Sequence, residues 1–510
     1  MTRWPRMKLS ALAKKVGSGA TPRGGNAAYK THGVPLIRSM NVHFDGVRDE
    51  GLAFIDEAQA RALDGVTVHG GDVLLNITGA SIGRVAVAPG RLAGARVNQH
   101  VCIIRATEAL DAHFLKLFLN APSQQRLIME EEAGATRQAL TKEKILNFDI
   151  PLPPLNEQRR IVAKLDSLQE RSRRARDSLD AVPALLDKLR QSILAAAFRG
   201  DLTRDFREKH KDLEPASKLL QRIRTERRKK WEEAELAKLT AKGKPPTDDK
   251  WKSKYKEPDP VDTTGLPKLP DGWCWASASE LADVVDPQPS HRTPPEHEGG
   301  IPYVGMGDVR NDGVLDLSNA RKVSLEVLWE HRERYTIEPG DFIFGKIGTL
   351  GAPCRLTAPF DYALSANVVL VQPRSQSVNP EWMYLFMLSP QVDALLHEQS
   401  RATSQPAFGI KKLRELPVPI PPVLEQEEAS RQLSEALAHV LGTRRIAREQ
   451  SAKLVELDRA ILAKAFRGEL VPQDPRDEPA DVMLARTTAS PAPAREKRGR
   501  RPGAKESHPE

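Results

Sequence analysis

Few residues in this 510-residue chain have the spacing that chemistry requires. Thr78-Gly79-Ala80-Ser81-Ile82-Gly83 has the glycines of a phosphate-cradling turn but no lysine, and Gly305-Met306-Gly307-Asp308 lacks the third glycine of a dinucleotide turn. Asn379-Pro380-Glu381-Trp382 is one proline short of the Asp/Asn-Pro-Pro-Tyr/Phe signature of adenine methyl transfer. Cys102, Cys274 and Cys354 and the twelve histidines show no metal-ligand spacing, so the thiols read as small buried side chains in a reducing cytosol. No nuclease carboxylate cluster and no nucleophile elbow is evident. What remains are residue types that touch without reacting: Arg and Lys pair with guanine, Asn and Gln with adenine. The candidates in the first half are Arg38, Asn41, His43, Arg84, Arg137 and Gln138. Those in the second are Arg292, Arg310, Asn311, Lys346, Arg401, Ser404 and Gln405. For each, the alternative is an ordinary solvated loop residue.

The elements that must position these residues occur twice. Ala197-Phe198-Arg199-Gly200-Asp201-Leu202 returns as Ala465-Phe466-Arg467-Gly468-Glu469-Leu470, an offset of 465 − 197 = 268. Pro151-Leu152-Pro153-Pro154-Leu155-Asn156-Glu157-Gln158 returns at the same offset as Pro419-Ile420-Pro421-Pro422-Val423-Leu424-Glu425-Gln426. The unit is too long for a solenoid repeat. Upstream of each Pro-rich run, short apolar stretches broken by Gly, Pro and Asn predict a strand-rich domain, with short helices over 110–119 and 122–129. Gly33-Val34-Pro35-Leu36-Ile37 matches Gly300-Ile301-Pro302-Tyr303-Val304, and Gly71-Asp72-Val73-Leu74-Leu75 matches Gly340-Asp341-Phe342-Ile343-Phe344. The framework repeats while the residues between differ.

Downstream, apolar residues from Ile161 through Leu165, Leu168 and Leu186 to Ile193 alternate four and three apart. This heptad predicts a coiled-coil helix, with a weaker equivalent from Ala429 to Ile461. Gly200 and Gly468 stand where left-handed C-terminal caps belong, and Pro183 is expected to kink or restart the first helix. The expected fold class is α+β. Two tandem strand-rich domains are each followed by a long helix, and the helices pair antiparallel with pseudo-two-fold symmetry. The expected divisions are 1–154 and 269–422 for the strand-rich domains, 155–200 and 423–470 for the helices, 201–268 for a charged helical linker, and 471–510 for a disordered basic tail. The formal charge is +9, and +3 of it falls in residues 495–510, leaving a modest excess on the body. That excess suits nucleic acid or an acidic surface. No apolar run is long enough to span a membrane and the N-terminus lacks a signal-peptide core, so a cytoplasmic protein is expected.

The Pro-x-Pro-Pro-x-x-Glu-Gln run opening a long helix, the Ala-Phe-Arg-Gly close and the Gly-Asp-x-hydrophobic strand, all doubled in one order, resemble the specificity subunit of type I restriction–modification systems. The resemblance runs from Trp4 to about Leu484 and includes Leu269-Pro270-Asp271-Gly272-Trp273-Cys274-Trp275 at the start of the second copy. It implies a noncatalytic reader of double-stranded DNA in which each target-recognition domain reads one half of a bipartite, asymmetric site. It further implies that the helices set the gap and dock two modification subunits, which bind S-adenosylmethionine and methylate adenine at N6. Restriction subunits, the ATP- and Mg-dependent motor and nuclease, complete the assembly. No cofactor or metal is expected in this chain, and chemistry is delegated to its partners. Three other readings stay open: a freestanding tandem DNA-binding scaffold, an enzyme with an unfamiliar site, and a pure coiled-coil assembly protein, which would leave the two strand-rich domains without a purpose.

Overall fold

The structure is a computed structural model that describes residues 4–22, 24, 28–133, 139–243, 246–258, 260–288, 290, 292–310, 313–373, 378–400 and 408–489. It divides into two compact units, residues 1–180 with 448–510, and residues 181–447. Neither unit is one sequence repeat. Each holds one strand-rich head, the first part of the long helix that follows it, and the last part of the other long helix.

In the first unit, strands Ala13–Ser18, Val101–Ala106, Val73–Asn76 and Val85–Val87 lie in that order in an antiparallel sheet. Successive side chains of a strand point to opposite faces, and here both faces are covered. Val73, Leu75, Val85, Cys102 and Ile104 enter a core shared with the helices, whereas Leu74, Ala86, Val101 and Ile103 enter a second core on the other face. That is why these strands read as unbroken apolar runs rather than alternating ones. Beyond the second core sit a three-stranded sheet (Ala53–Ile55, Val34–Ile37, Arg96–Val97) and a small hairpin, Val42–His43 with Gly46–Val47.

The second unit repeats this plan. Its strands run Asp283–Val285, Val368–Gln372, Phe342–Gly345, Gly351–Arg355, beside a three-stranded sheet of Lys322–Val323, Ile301–Val304 and Ala363–Leu364. Phe342, Phe344, Val369 and Val371 face the helices, and Ile343, Cys354, Val368 and Leu370 face away. The Gly-Asp start repeats in detail: Asp72 accepts from the His69 amide at 2.7 Å and Asp341 from the Glu338 amide at 2.9 Å.

The Glu-Gln of each Pro-rich run clamps helix to head. Gln158 is buried, donates to Pro153 O and Ala109 O and accepts from the Asp111 amide at 2.8 Å. Gln426, also buried, donates to Pro421 O and accepts from the Asn379 amide at 2.9 Å. Asp111 and Asn379 in turn cap the helices Ala112–Leu119 and Pro380–Phe386. The preceding glutamates differ. Glu425 accepts from Thr203 at 2.7 Å and from Arg207 at 2.5 Å, whereas among the described residues Glu157 accepts only from the Trp4 indole, at 3.2 Å. Burial accordingly pushes the Glu157 carboxyl above its ordinary value of 4.5, with the Trp4 hydrogen bond and Arg160 opposing. A raised carboxyl favours folding below its unfolded value, and that contribution fades as pH rises through the folded value. Glu157→Gln should therefore remove part of the stability lost by the first unit as pH rises above 4.5. Hydrogen exchange of the first unit's amides in both proteins measures this, and an unchanged pH dependence would disprove it.

The helices Leu155–Phe198 and Val423–Phe466 are 44 residues each. Within each unit their segments run antiparallel: Arg176 pairs with Asp458 in the first, and Arg444 with Asp187 in the second. The heptad seam is only partly closed. Ile161, Leu165, Leu186 and Leu433 are buried, but Leu189 and Leu457 are about half exposed. Both helices end in the expected caps: Gly200 has φ +78° and Gly468 φ +77°, with Asp201 N donating to Ala196 O and Glu469 N to Lys464 O. Each Ala-Phe-Arg-Gly close docks on the head that its own repeat did not supply. Phe198 packs on Trp382 and Phe386 of the second head, and Phe466 on Phe114 and Phe118 of the first.

Two expectations change. The first helix passes through Pro183 without restarting, because a single lost backbone bond is outweighed by a long helix packed at both ends. The segment expected as a disordered tail is ordered through residue 489. Asp477 forms a two-pronged pair with Arg160, Ala480 is buried, and residues 480–489 are helical. The helix within the charged linker packs on the second unit. Leu219, Leu220 and Ile223 of the helix Ala216–Ala241 enter the second unit's core, and Arg224 pairs with buried Glu280.

Candidate nucleic-acid interface

In the first head, two turns come together. One is Ser39–Asn41, leading into the hairpin; the other is Gly79–Ser81, leading to Arg84. Buried Asn76 ties them, donating to Ser39 O at 2.8 Å and to Ser81 Oγ at 3.2 Å. This linkage brings together the segments that carry Arg38, His43 and Arg84. Arg84 is half-buried and its side chain has no hydrogen bond or ion pair among the described residues. Arg38 donates to Gly51 O at 2.6 Å, lies over the Tyr29 ring at 5.2 Å, and keeps a buried Nε without a partner. The His43 ring sits 2.9 Å from Met40 O.

Two candidates are committed to the fold. Asn41 is fully buried; it accepts from the Arg38 amide and donates to Arg48 O and Glu50 O, which uses up its base-reading edge. Lys346 is buried in an ion pair with Asp286 at 2.8 Å. In the second head Arg310 begins the matching hairpin, its amide donating to Val314 O at 2.9 Å. Arg292 is exposed on the segment before strand Ile301–Val304, where its carbonyl accepts from Gln288. Arg137, Gln138, Asn311, Arg401, Ser404 and Gln405 lie outside the described residues.

Met40 and Phe44, which are 50 % and 39 % exposed beside His43, are apolar and so fall outside the base-pairing residue types. A signal for them was present. Asn41-Val42-His43-Phe44-Asp45-Gly46-Val47 matches Asp308-Val309-Arg310-Asn311-Asp312-Gly313-Val314, an Asp-Gly turn in one frame with different tips.

Reactive chemistry is not assembled among the described residues. Burial pushes the thiols up, Cys102 to about 12 and Cys274 and Cys354 to about 11, which leaves them protonated and inert. No group of described His, Cys, Asp or Glu could hold a metal, and no helix among them is long and apolar enough to cross a membrane.

Two heads of one framework, each closed by paired helices and each presenting different side chains on matching turns, define a duplicated recognition scaffold. Residues 4–177 and 272–444 each match the family model of the type I restriction modification DNA specificity domain. The chain is similar to the EcoBI specificity subunit of Escherichia coli, at 24% identity over 96% of this chain and 90% of that one. It is also similar to the EcoKI specificity subunit of Escherichia coli K12, at 22% identity over 90% and 86%. Among solved structures, the HsdS subunit from Thermoanaerobacter tengcongensis shares the fold with a TM-score of 0.55 at 22% identity, over 92% of this chain and 97% of that one. A chain from a structure of type I restriction–modification complex assembly has a TM-score of 0.61 at 21% identity, over 92% and 99%. The chain belongs to the specificity subunits of type I restriction–modification systems, the noncatalytic DNA-recognition members of those complexes. Its partners are DNA and the other subunits of such a complex.

Proposed function

We propose that each head reads one half of a bipartite, asymmetric DNA site in the cytoplasm, and that the two long helices set the gap. The helices also dock two adenine methyltransferase subunits carrying S-adenosylmethionine, one serving each strand, and ATP- and Mg-dependent restriction subunits join that core. The target-recognition domains are residues 1–154 and 269–422. Arg38, His43 and Arg84 contact DNA from the first, and Arg292 and Arg310 from the second. Arg137, Gln138, Asn311, Arg401, Ser404 and Gln405 are further candidate contacts.

One observation carries this reading: the two heads share sheet order, caps and clamps but differ in the side chains on their outward turns. A duplicated frame with divergent tips suits two different half-sites, as symmetric readers suit palindromes. The test is a single-molecule map of N6-methyladenine in a methylation-free host expressing the cognate modification subunit. With this chain present, a two-part motif methylated on both strands is expected. Methylation that is absent, or that is the same without the chain, would refute the proposal.

A further inference from the structure

The hairpin at 41–48 of the first head is a stiff projection. Val42 is fully buried beneath it. Asn41 closes its base, and Arg91 braces its flank by donating to Val47 O at 3.2 Å and to the Asp49 carboxylate. Asp45 pairs with Arg48 at 3.0 Å across the turn. On this frame Phe44 and Met40 stay exposed although neighbouring apolar side chains enter the core. At 39 % exposure Phe44 keeps part of its ring open to a partner, on a turn whose base and flank are fixed.

The second head builds the same base with another residue: Asp308 accepts from the Gly305 amide at 2.8 Å where Asn41 accepts from the Arg38 amide. Its ribbon closes one residue later, Val309 facing Leu315 where Val42 faces Val47. At the position of His43 it carries Arg310. Frame and base are kept while the tip is exchanged, as expected where the tip, not the frame, carries the information.

We propose that this hairpin is the specificity-determining ribbon of the first head, entering the major groove so that Phe44 packs on a thymine methyl group. The major groove admits a two-stranded ribbon, and the thymine methyl is its one apolar landmark. The matching ribbon of the second head presents Arg310, whose guanidinium suits guanine. The inference rests on the bipartite reading above and adds the residue and the base feature.

The test uses the specificity subunit assembled with its modification subunits, on duplexes carrying the methylated motif. Each thymine of the first half-site is replaced in turn by uracil, which removes only the methyl group. One replacement is expected to weaken binding by the wild-type complex about fourfold, the worth of one buried carbon. The same replacement should leave Phe44→Ala unaffected, and replacements in the second half-site should affect both proteins equally. Two results would overturn the proposal: no uracil in the first half-site weakens the wild type, or Phe44→Ala loses as much as the wild type. A lowered melting temperature of Phe44→Ala would also count against it, by making Phe44 a packing residue. If the wild-type complex yields no bipartite motif at all, the reading of function fails first, and the uracil scan is what separates the two.

Discussion

Phe198→Ala is expected to destabilise the second unit by about 3–5 kcal/mol, the usual cost of emptying a buried phenylalanine site. Phe198 is 2 % exposed, with its ring centroid 4.6 Å from that of Trp382 and 5.1 Å from that of Phe386. Trp382 also donates its indole N–H to Pro419 O in the Pro-rich run, so the cavity would open where helix end, head and Pro-rich run meet. The site cannot readily collapse, because Gly200 holds the chain tightly beneath it: a Cβ there would lie 2.5 Å from Pro270. Tryptophan fluorescence reads the outcome cleanly. Six of the seven tryptophans, all but Trp4, lie in residues 181–447. A fall in their melting midpoint on the order of 10 °C is expected for a unit of this size. Phe466→Ala should leave that signal in place and destabilise the first unit instead. A loss shared equally by both units in either variant would contradict the crossed docking of the helix ends.

Much of this architecture was legible in the sequence because its repeated positions have local causes. Gly200 and Gly468 are required by left-handed caps, Gln158 and Gln426 by a helix start that must be tied to a Pro-rich run, and Asp72 and Asp341 by a tight turn before a strand. Each cause acts within a few residues or within one domain, so it leaves the same mark in both copies. The crossed docking of Phe198 and Phe466 was not legible, because a matched register says that two helix ends are equivalent and not which head receives each. The order of residues 471–489 was hidden for a related reason. Its support comes from Arg160, more than three hundred positions away, which composition cannot register.

The candidate interface was legible only by residue type, and type is a weak guide. Asn41 and Arg84 both looked like readers. A buried amide that closes its own turn and a half-buried guanidinium with no partner among the described residues offer the same kind of base-pairing chemistry in the sequence. Looking only for polar donors also hid Met40 and Phe44, although thymine is distinguished in the major groove by a methyl group. The doubled Asp-Gly turn, with its frame repeated and its tip exchanged, carried more information than any single charged residue.

Glu425→Ala is expected to cost the second unit about 3–5 kcal/mol, as breaking a buried pair does when one charge is left behind. Glu425 is fully buried and accepts from Arg207, whose guanidinium also donates to Gly200 O at 2.8 Å and lies over the Trp273 ring. The carboxylate thus joins the start of the second long helix to the cap that ends the first. Removing it strands the Arg207 charge and the Thr203 hydroxyl, which is 1 % exposed. Glu425→Gln keeps an acceptor for Thr203 and should cost less, because only the charge is lost. In the first unit Arg160 acts on Glu157 only through space and, among the described residues, the Trp4 indole is the group that hydrogen-bonds it, so Glu157→Ala should cost less than Glu425→Ala. Urea midpoints of the three variants, followed by tryptophan fluorescence for the second unit and hydrogen exchange for the first, order these costs. Equal losses for Glu425→Ala and Glu425→Gln would mean that charge alone, and not hydrogen bonding, holds the helix start to the cap.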